Sequence, residues 1–230
     1  FQISTEEGEN YLKIETKINK MIKRFLDNYK KPKYRIIYKN EITTKEIKPV
    51  FPQLLKTGIV FKLGEGQYGL SGIALELFEY FNNCIRDIGI RLGAIEHRYP
   101  TLIPIKALHR INYLSNRTES LNFVSHLKED IDVIDAFAED VKSAKDKISM
   151  GTKVETDSVA SSAVCFHTYH YLQDKKLKLP DGRIVVGAVG KCFRYESKNM
   201  KSLERLRDFT MREVICLGSP KEVLTFRKES

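Results

Sequence analysis

The 230-residue chain carries 39 Lys and Arg against 30 Asp and Glu, a net charge of +9, and 42% of its residues are hydrophobic. That balance describes a globular protein with a sizeable core. It excludes a helical membrane span, because the longest apolar runs are far too short, and a disulfide-stapled secreted scaffold, because Cys84, Cys165, Cys192 and Cys216 show no CxxC spacing. The free thiols point to a reduced cytoplasmic setting, and the positive excess to an acidic partner such as a nucleotide, a nucleic acid or an acidic protein.

Residues 9–29 repeat apolar side chains at helical spacing (Leu12, Ile14, Ile18, Ile22, Phe25, Tyr29), which predicts a helix. KKPKYRIIYKNE and the Gly-rich KLGEGQYGLSG read as short strands and turns. With Lys17, Lys20, Lys23, Arg24, Lys30, Lys31, Lys33 and Arg35, residues 1–63 form a basic helix-and-strand region. A solvated face and a docking surface for an acidic partner both account for that charge. A long amphipathic helix runs from Ile73 to about Leu92, with Leu77, Phe78, Phe81, Ile85, Ile88 and Leu92 on one stripe and Gly93 as its C-terminal cap. Pro100 and Pro104 make AIEHRYPTLIPIKAL extended. LNFVSHL (121–127) is a predicted strand. Residues 128–150 form a charged helix whose buried side is Ile131, Ile134, Ala138, Val141 and Ile148. From 158 to 217 the pattern is strands, in VASSAVCFHTYHYL, RIVVGAVGKCFRYE and DFTMREVICLG. Ser219-Pro220-Lys221-Glu222 is a capping box with proline at the first helical position, so a last helix begins there. Strands joined mostly as hairpins, with helices to one side, make an α+β fold.

Pairing strand 186–196 with strand 208–217 brings charged residues to an otherwise strand-like hairpin. Alternation puts Cys192, Arg194 and Glu196 on one face of the first strand, and Phe209, Met211 and Glu213 on one face of the second, opposite Thr210, Arg212 and Val214. Should the two faces coincide, arginine, carboxylates and an aromatic ring meet at one place. Packing alone does not require that set, and burying it unpaired is costly. It suits ATP: a guanidinium holds phosphate through paired charge-assisted bonds, a ring stacks on adenine, and a carboxylate accepts from the base.

FRYE, a loop, and RLRDFTMRE resemble motif 2 of class II aminoacyl-tRNA synthetases, fRxE followed by (H/R)xxxFxxx(D/E); Phe193, Arg194, Glu196, Arg205, Phe209 and Glu213 occupy the matching positions. SSAVCFHTYHYL is similar to the segment preceding that motif in methanogen-type seryl-tRNA synthetases and the related amino acid:carrier protein ligases. YGLSGIALELFEYFNNCIRDIGIRLGAIEHRYPTLIP resembles their motif 1, a dimerising element, and INYLSNRTESLNFVSHL the segment after it. The resemblance covers roughly residues 64–228 and implies a class II synthetase-like core over residues 64–230. That core is an antiparallel sheet flanked by helices, lacking the motif 3 end. By resemblance, Arg194 is the catalytic arginine on the α-phosphate and carboxylate, Arg205 meets the γ-phosphate, Phe209 stacks on adenine and Glu196 contacts the base. Cys165 and Glu213 correspond to two zinc ligands, the third being a cysteine near motif 3. The implied reaction uses ATP with Mg2+, and Zn2+ for substrate binding. It activates a small amino acid as its adenylate and transfers it to the phosphopantetheine thiol of an acidic carrier protein, in a homodimer. Transfer to tRNA ranks second, because the residues preceding the resemblance are few for a tRNA-binding domain, and a non-catalytic synthetase-like paralogue is the reading from another class. His167 and His170 are neighbours of Cys165 with no assigned role.

Overall fold

A computed structural model describes residues 11–26, 49–144, 148–179, 182–195 and 200–230. The predicted strand region around 30–41, with its basic residues, and Glu196 lie outside the described residues. The chain divides into two compact units, residues 1–48 and 49–230. In the first, helix α1 (Tyr11–Leu26) forms where the apolar period predicts it; Ile14 and Ile18 are partly covered while Glu15, Thr16 and Lys17 between them are exposed.

The second unit opens with α2 (Phe51–Lys56), begun by Pro52 in the first turn, and an antiparallel hairpin of β1 (Val60–Gly64) and β2 (Gln67–Leu70). This hairpin straddles residue 63, where the sequence places a division. Its turn needs Gly66, whose φ of +67° is left-handed. Helix α3 (Gly72–Arg91) closes with the amide of Ala94 on the Gly89 carbonyl and that of Gly93 on the Ile90 carbonyl, with Gly93 at φ +84°. That is a Schellman motif, as the glycine predicts.

Strand β3 (Ile95–Arg98) runs parallel to β7 (Arg183–Phe193), which pairs antiparallel with β8 (Asp208–Gly218). A second sheet sets β4 (Leu102–Pro104) and β5 (Asn122–Leu127) antiparallel on either side of β6 (Val154–Ala160). The strand predicted over 121–127 is β5. Backbone bonds through Ser161, from its amide to the Thr101 carbonyl at 2.9 Å and from the Phe193 amide to its carbonyl at 2.7 Å, stitch the sheets together. One core cluster, Ile103, Leu108, Leu121 and Val159, lies under the second sheet; another, Val164, Ala188 and Cys192, lies on the first.

Three expectations are corrected. Extended structure after Pro104 gives way to α4 (Ile105–Arg110), because Pro104 with ψ 138° serves as its N-cap and Ala107 and Leu108 then reach the core on one helical face; a short α5 (Tyr113–Arg117) follows. Residues 165–172 form helix α7 (Cys165–Leu172), not a strand. Phe166, Tyr169, His170 and Gln173, at helical spacing, face Ile103 and Ala107 across a cavity of about 180 Å3, and that tertiary fit outweighs the strand propensity of the aromatic residues. Finally, α6 (Ile131–Ser143) stops short of residue 150, and its apolar residues Ile131, Ile134 and Val141, like Leu77, Phe81, Ile85 and Ile88 of α3, are exposed. Asp130 caps α6 by accepting from the amides of Asp132 and Val133, and Ser219 caps α8 (Pro220–Glu229) by accepting from the Glu222 amide at 3.3 Å, as its capping box predicts.

Candidate functional site

Strand register decides whether the site exists. In β7–β8, Ala188 stands opposite Glu213, Gly190 opposite Met211 and Cys192 opposite Phe209. Directly paired residues share a face of an antiparallel sheet, so the two faces coincide. Strand β7 ends at Phe193, so Arg194 sits just beyond it, with its amide on the Arg207 carbonyl at 3.1 Å. The Arg194 guanidinium lies 5.3 Å from the centre of the Phe209 ring, and its Nε donates to the Ser162 carbonyl at 3.0 Å. These contacts fix the planar fork, and among the described residues no hydrogen bond occupies its terminal nitrogens. Arg194, Leu203, Glu204, Arg205, Leu206 and Phe209 line one cavity of about 380 Å3. Three of the predicted nucleotide residues are thus brought together.

Helix α7 starts on the same sheet face, where Val164 packs with Ala188 and Cys192 and near Phe209. Glu213 accepts from the Cys165 amide at 2.8 Å, which places a carboxylate at the positive end of the helix. Burial, then the charge and hydrogen bond of Glu213, push the Cys165 thiol up to about 11; Tyr169 also bonds to it. The predicted zinc pair is therefore adjacent. Structural zinc takes four protein ligands and catalytic zinc three, and among the described residues no group of three His, Cys, Asp or Glu side chains converges. Two candidate ligands, with one carboxylate oxygen already on an amide, fall short of a zinc site by themselves.

Deeper in the same face, Cys192 is fully buried and its thiol is pushed up to about 11, first by burial and then by Glu213. His97 Nδ1 is 2.7 Å from the Tyr99 hydroxyl, which is 2.9 Å from Thr168 Oγ1, while the His167 ring stacks on Tyr99 at 5.4 Å. Burial, reinforced by His170, lowers the His167 pKa. All four cysteines are free.

The opposite sheet face is structural. Arg212, its side chain 7% exposed, donates from Nε to Asn82 of α3 at 2.7 Å and from a terminal nitrogen to Glu96 of β3 at 2.9 Å. Gly89 lets α3 approach Val214, whose Cγ2 would sit 3.1 Å from a Cβ there. The Ser162 carbonyl and the Arg212 bridge escaped sequence reasoning, since a backbone acceptor leaves no residue signature and the partners of Arg212 are distant in the chain. The alternation that puts Arg212 opposite Phe209 is the one available signal.

This fold, with its paired long strands and flanking helices, is that of class II aminoacyl-tRNA synthetases. The chain matches the seryl-tRNA synthetase in a crystal structure of A. aeolicus tRNASec in complex with the M. kandleri enzyme. That match has a TM-score of 0.77 at 19% identity, over 99% of this chain and 49% of that one. It also matches Giardia lamblia prolyl-tRNA synthetase in complex with prolyl-adenylate, with a TM-score of 0.59 at 13% identity, over 78% of this chain and 33% of that one. In sequence it is similar to a type-2 serine–tRNA ligase of Methanococcus aeolicus, 24% identical over 199 residues, 84% of this chain and 38% of the relative. An amino acid–[acyl-carrier-protein] ligase of Bradyrhizobium diazoefficiens is 38% identical over 72 residues, 31% of this chain and 21% of the relative. No protein-family model matches the sequence. The chain is class II aminoacyl-tRNA synthetase-like, and its sequence relatives are ligases. It spans 38% of the length of the type-2 serine–tRNA ligase it matches.

Proposed function

We propose that this chain binds ATP at the β7–β8 hairpin and belongs to a ligase that activates a small amino acid as its adenylate. One observation carries the reading: Arg194 and Phe209, 5.3 Å apart, share a single cavity with Arg205. Arg194 holds the α-phosphate and the incoming carboxylate, Phe209 stacks on adenine, Arg205 reaches the terminal phosphate, and Glu196 contacts the base. A carboxylate oxygen of the amino acid attacks the α-phosphorus in line, and the bond from that phosphorus to the oxygen bridging to the β-phosphorus breaks. Pyrophosphate leaves and the aminoacyl-adenylate remains. Arg194 acts by positioning and by stabilising charge on the transferring group. Magnesium, when bound with ATP, neutralises phosphate charge.

Binding of a non-hydrolysable ATP analogue, followed by calorimetry, tests this. Arg194→Ala removes a net charge-assisted contribution of about 1.5–3 kcal/mol and is expected to weaken binding roughly 10- to 100-fold. Unchanged affinity would refute the site. Pyrophosphate exchange into ATP that depends on a small amino acid tests adenylate formation, and no exchange with any of them would favour a non-catalytic paralogue.

The acceptor we propose is the phosphopantetheine thiol of an acidic carrier protein, which suits the net charge of +9 and the similarity to the carrier-protein ligase. The thiol gives up its proton to water, its sulfur bonds to the acyl carbon, and the bond from that carbon to the phosphate oxygen breaks, so that AMP departs. Transfer to tRNA is favoured instead by the greater share of this chain that the type-2 serine–tRNA ligase matches. Labelled amino acid offered to holo-carrier protein and to bulk tRNA separates the two. Zinc at Cys165 and Glu213 is tested by metal analysis: one equivalent in the wild-type protein, lost in Cys165→Ala, would establish that assignment.

A further inference from the structure

The β1–β2 hairpin touches the segment that carries Arg205 at both ends. At one end, the Gly66 carbonyl accepts from the Arg207 amide at 2.9 Å, and the Arg207 carbonyl in turn accepts from the Arg194 amide. At the other, the Tyr68 hydroxyl donates to the Met200 carbonyl at 3.4 Å. Between these attachments lie Leu203, Glu204, Arg205 and Leu206, all lining the nucleotide cavity.

The contact is close enough to be specific. Gly66 has φ +67°, and a Cβ there would stand 2.7 Å from Met200 Sδ and 3.0 Å from the Arg207 amide nitrogen. Met200 is 6% exposed although the residues around it are polar or charged, so it plugs the turn of the hairpin. Tyr68 is itself held by an edge-on contact with Phe51 of α2, ring centres 5.6 Å apart. Ordering a loop residue costs about 1–2 kcal/mol of backbone entropy. A segment tied down before the ligand arrives spares binding that cost.

We infer that this hairpin presets Arg205 for the terminal phosphates, with Gly66 and Tyr68 as positioning residues acting through Arg207 and Met200. The inference rests on the nucleotide reading above and adds to it a device outside the motif-bearing strands. Such a device acts first on the phosphates reached by Arg205, since Phe209 holds the base from the sheet and the Arg194 guanidinium keeps its own anchor on the Ser162 carbonyl.

The test compares calorimetric binding of a non-hydrolysable ATP analogue and of AMP to the 230-residue chain and to Gly66→Ala, Tyr68→Phe and Met200→Ala. Gly66→Ala and Met200→Ala should bind the ATP analogue roughly tenfold more weakly, and Tyr68→Phe roughly threefold, while AMP affinity stays within about twofold of the wild-type value. Loss of ATP analogue and AMP in equal measure would reduce the hairpin to a general structural support and overturn the inference, as would full retention of ATP-analogue affinity in all three variants. A wild-type chain that binds neither nucleotide overturns the nucleotide reading itself, and that arm is read without any variant.

Discussion

Arg194 and Cys192 are two residues apart and face the same side of the sheet, yet one lines an open cavity and the other is fully buried. The guanidinium is anchored through one nitrogen to the Ser162 carbonyl and lies over the Phe209 ring. The thiol has no accessible surface, and its pKa is pushed from about 9 to about 11. A raised thiol pKa means that the folded state holds its proton more tightly than the unfolded chain. The stabilisation is complete below the unfolded value and is lost as pH rises from about 9 to about 11. Denaturant midpoints taken between pH 8 and 11 should therefore fall, and Cys192→Ala should flatten that fall. Arg194, Phe209 and Glu213 were legible because alternation assigns faces. The use that the protein makes of Glu213, an N-terminal cap for α7, was not, because the partner amide belongs to a segment whose sequence reads as strand.

Among the elements, α3 is joined to the sheet by the Arg212 bridge to Asn82 and Glu96. The Arg212 side chain is buried while Glu96 is exposed, so removing the guanidinium loses its charged hydrogen bonds, about 1.5–3 kcal/mol each, without stranding a buried charge. Arg212→Ala should lower the unfolding midpoint sharply in thermal denaturation. Glu96→Gln, which leaves Asn82 accepting from Arg212, should lower it less. Helix α8 depends on its first turn. Ser219→Ala deletes the cap on the Glu222 amide and should cost about 1 kcal/mol in chemical denaturation. Elements with strong local punctuation were legible: the capping box at 219–222, Gly93 after α3, and the paired strands around the motif 2 residues. Helix α7 and the start of α4 were not. Each has its conformation chosen by the cavity and core it packs against, and short aromatic-rich runs fit strand and helix alike.

For the whole molecule, the informative feature is an apolar face that lies open among the described residues. Leu77, Phe81, Ile85 and Ile88 of α3 are 50%, 59%, 44% and 37% exposed, and contiguous apolar surface of this kind marks an interaction site. We propose a second copy as its occupant, as the motif 1 resemblance implies. Sedimentation should find a dimer, and Phe81→Glu should shift it to monomer without altering the far-ultraviolet circular dichroism. A wild-type monomer at tens of micromolar would refute the dimer. Among the described residues no helix is long and apolar enough to cross a membrane.

By itself the sequence determined the α+β class, the hairpin and the residue types that meet on it, because strand alternation and capping are local rules written in neighbouring residues. Only the tertiary structure decided that Arg194, Arg205 and Phe209 close around one cavity, that Glu213 holds a helix, and that the stripe of α3 stays uncovered. These depend on contacts between segments far apart in the chain, where register, packing and burial are settled jointly and no local pattern records the outcome.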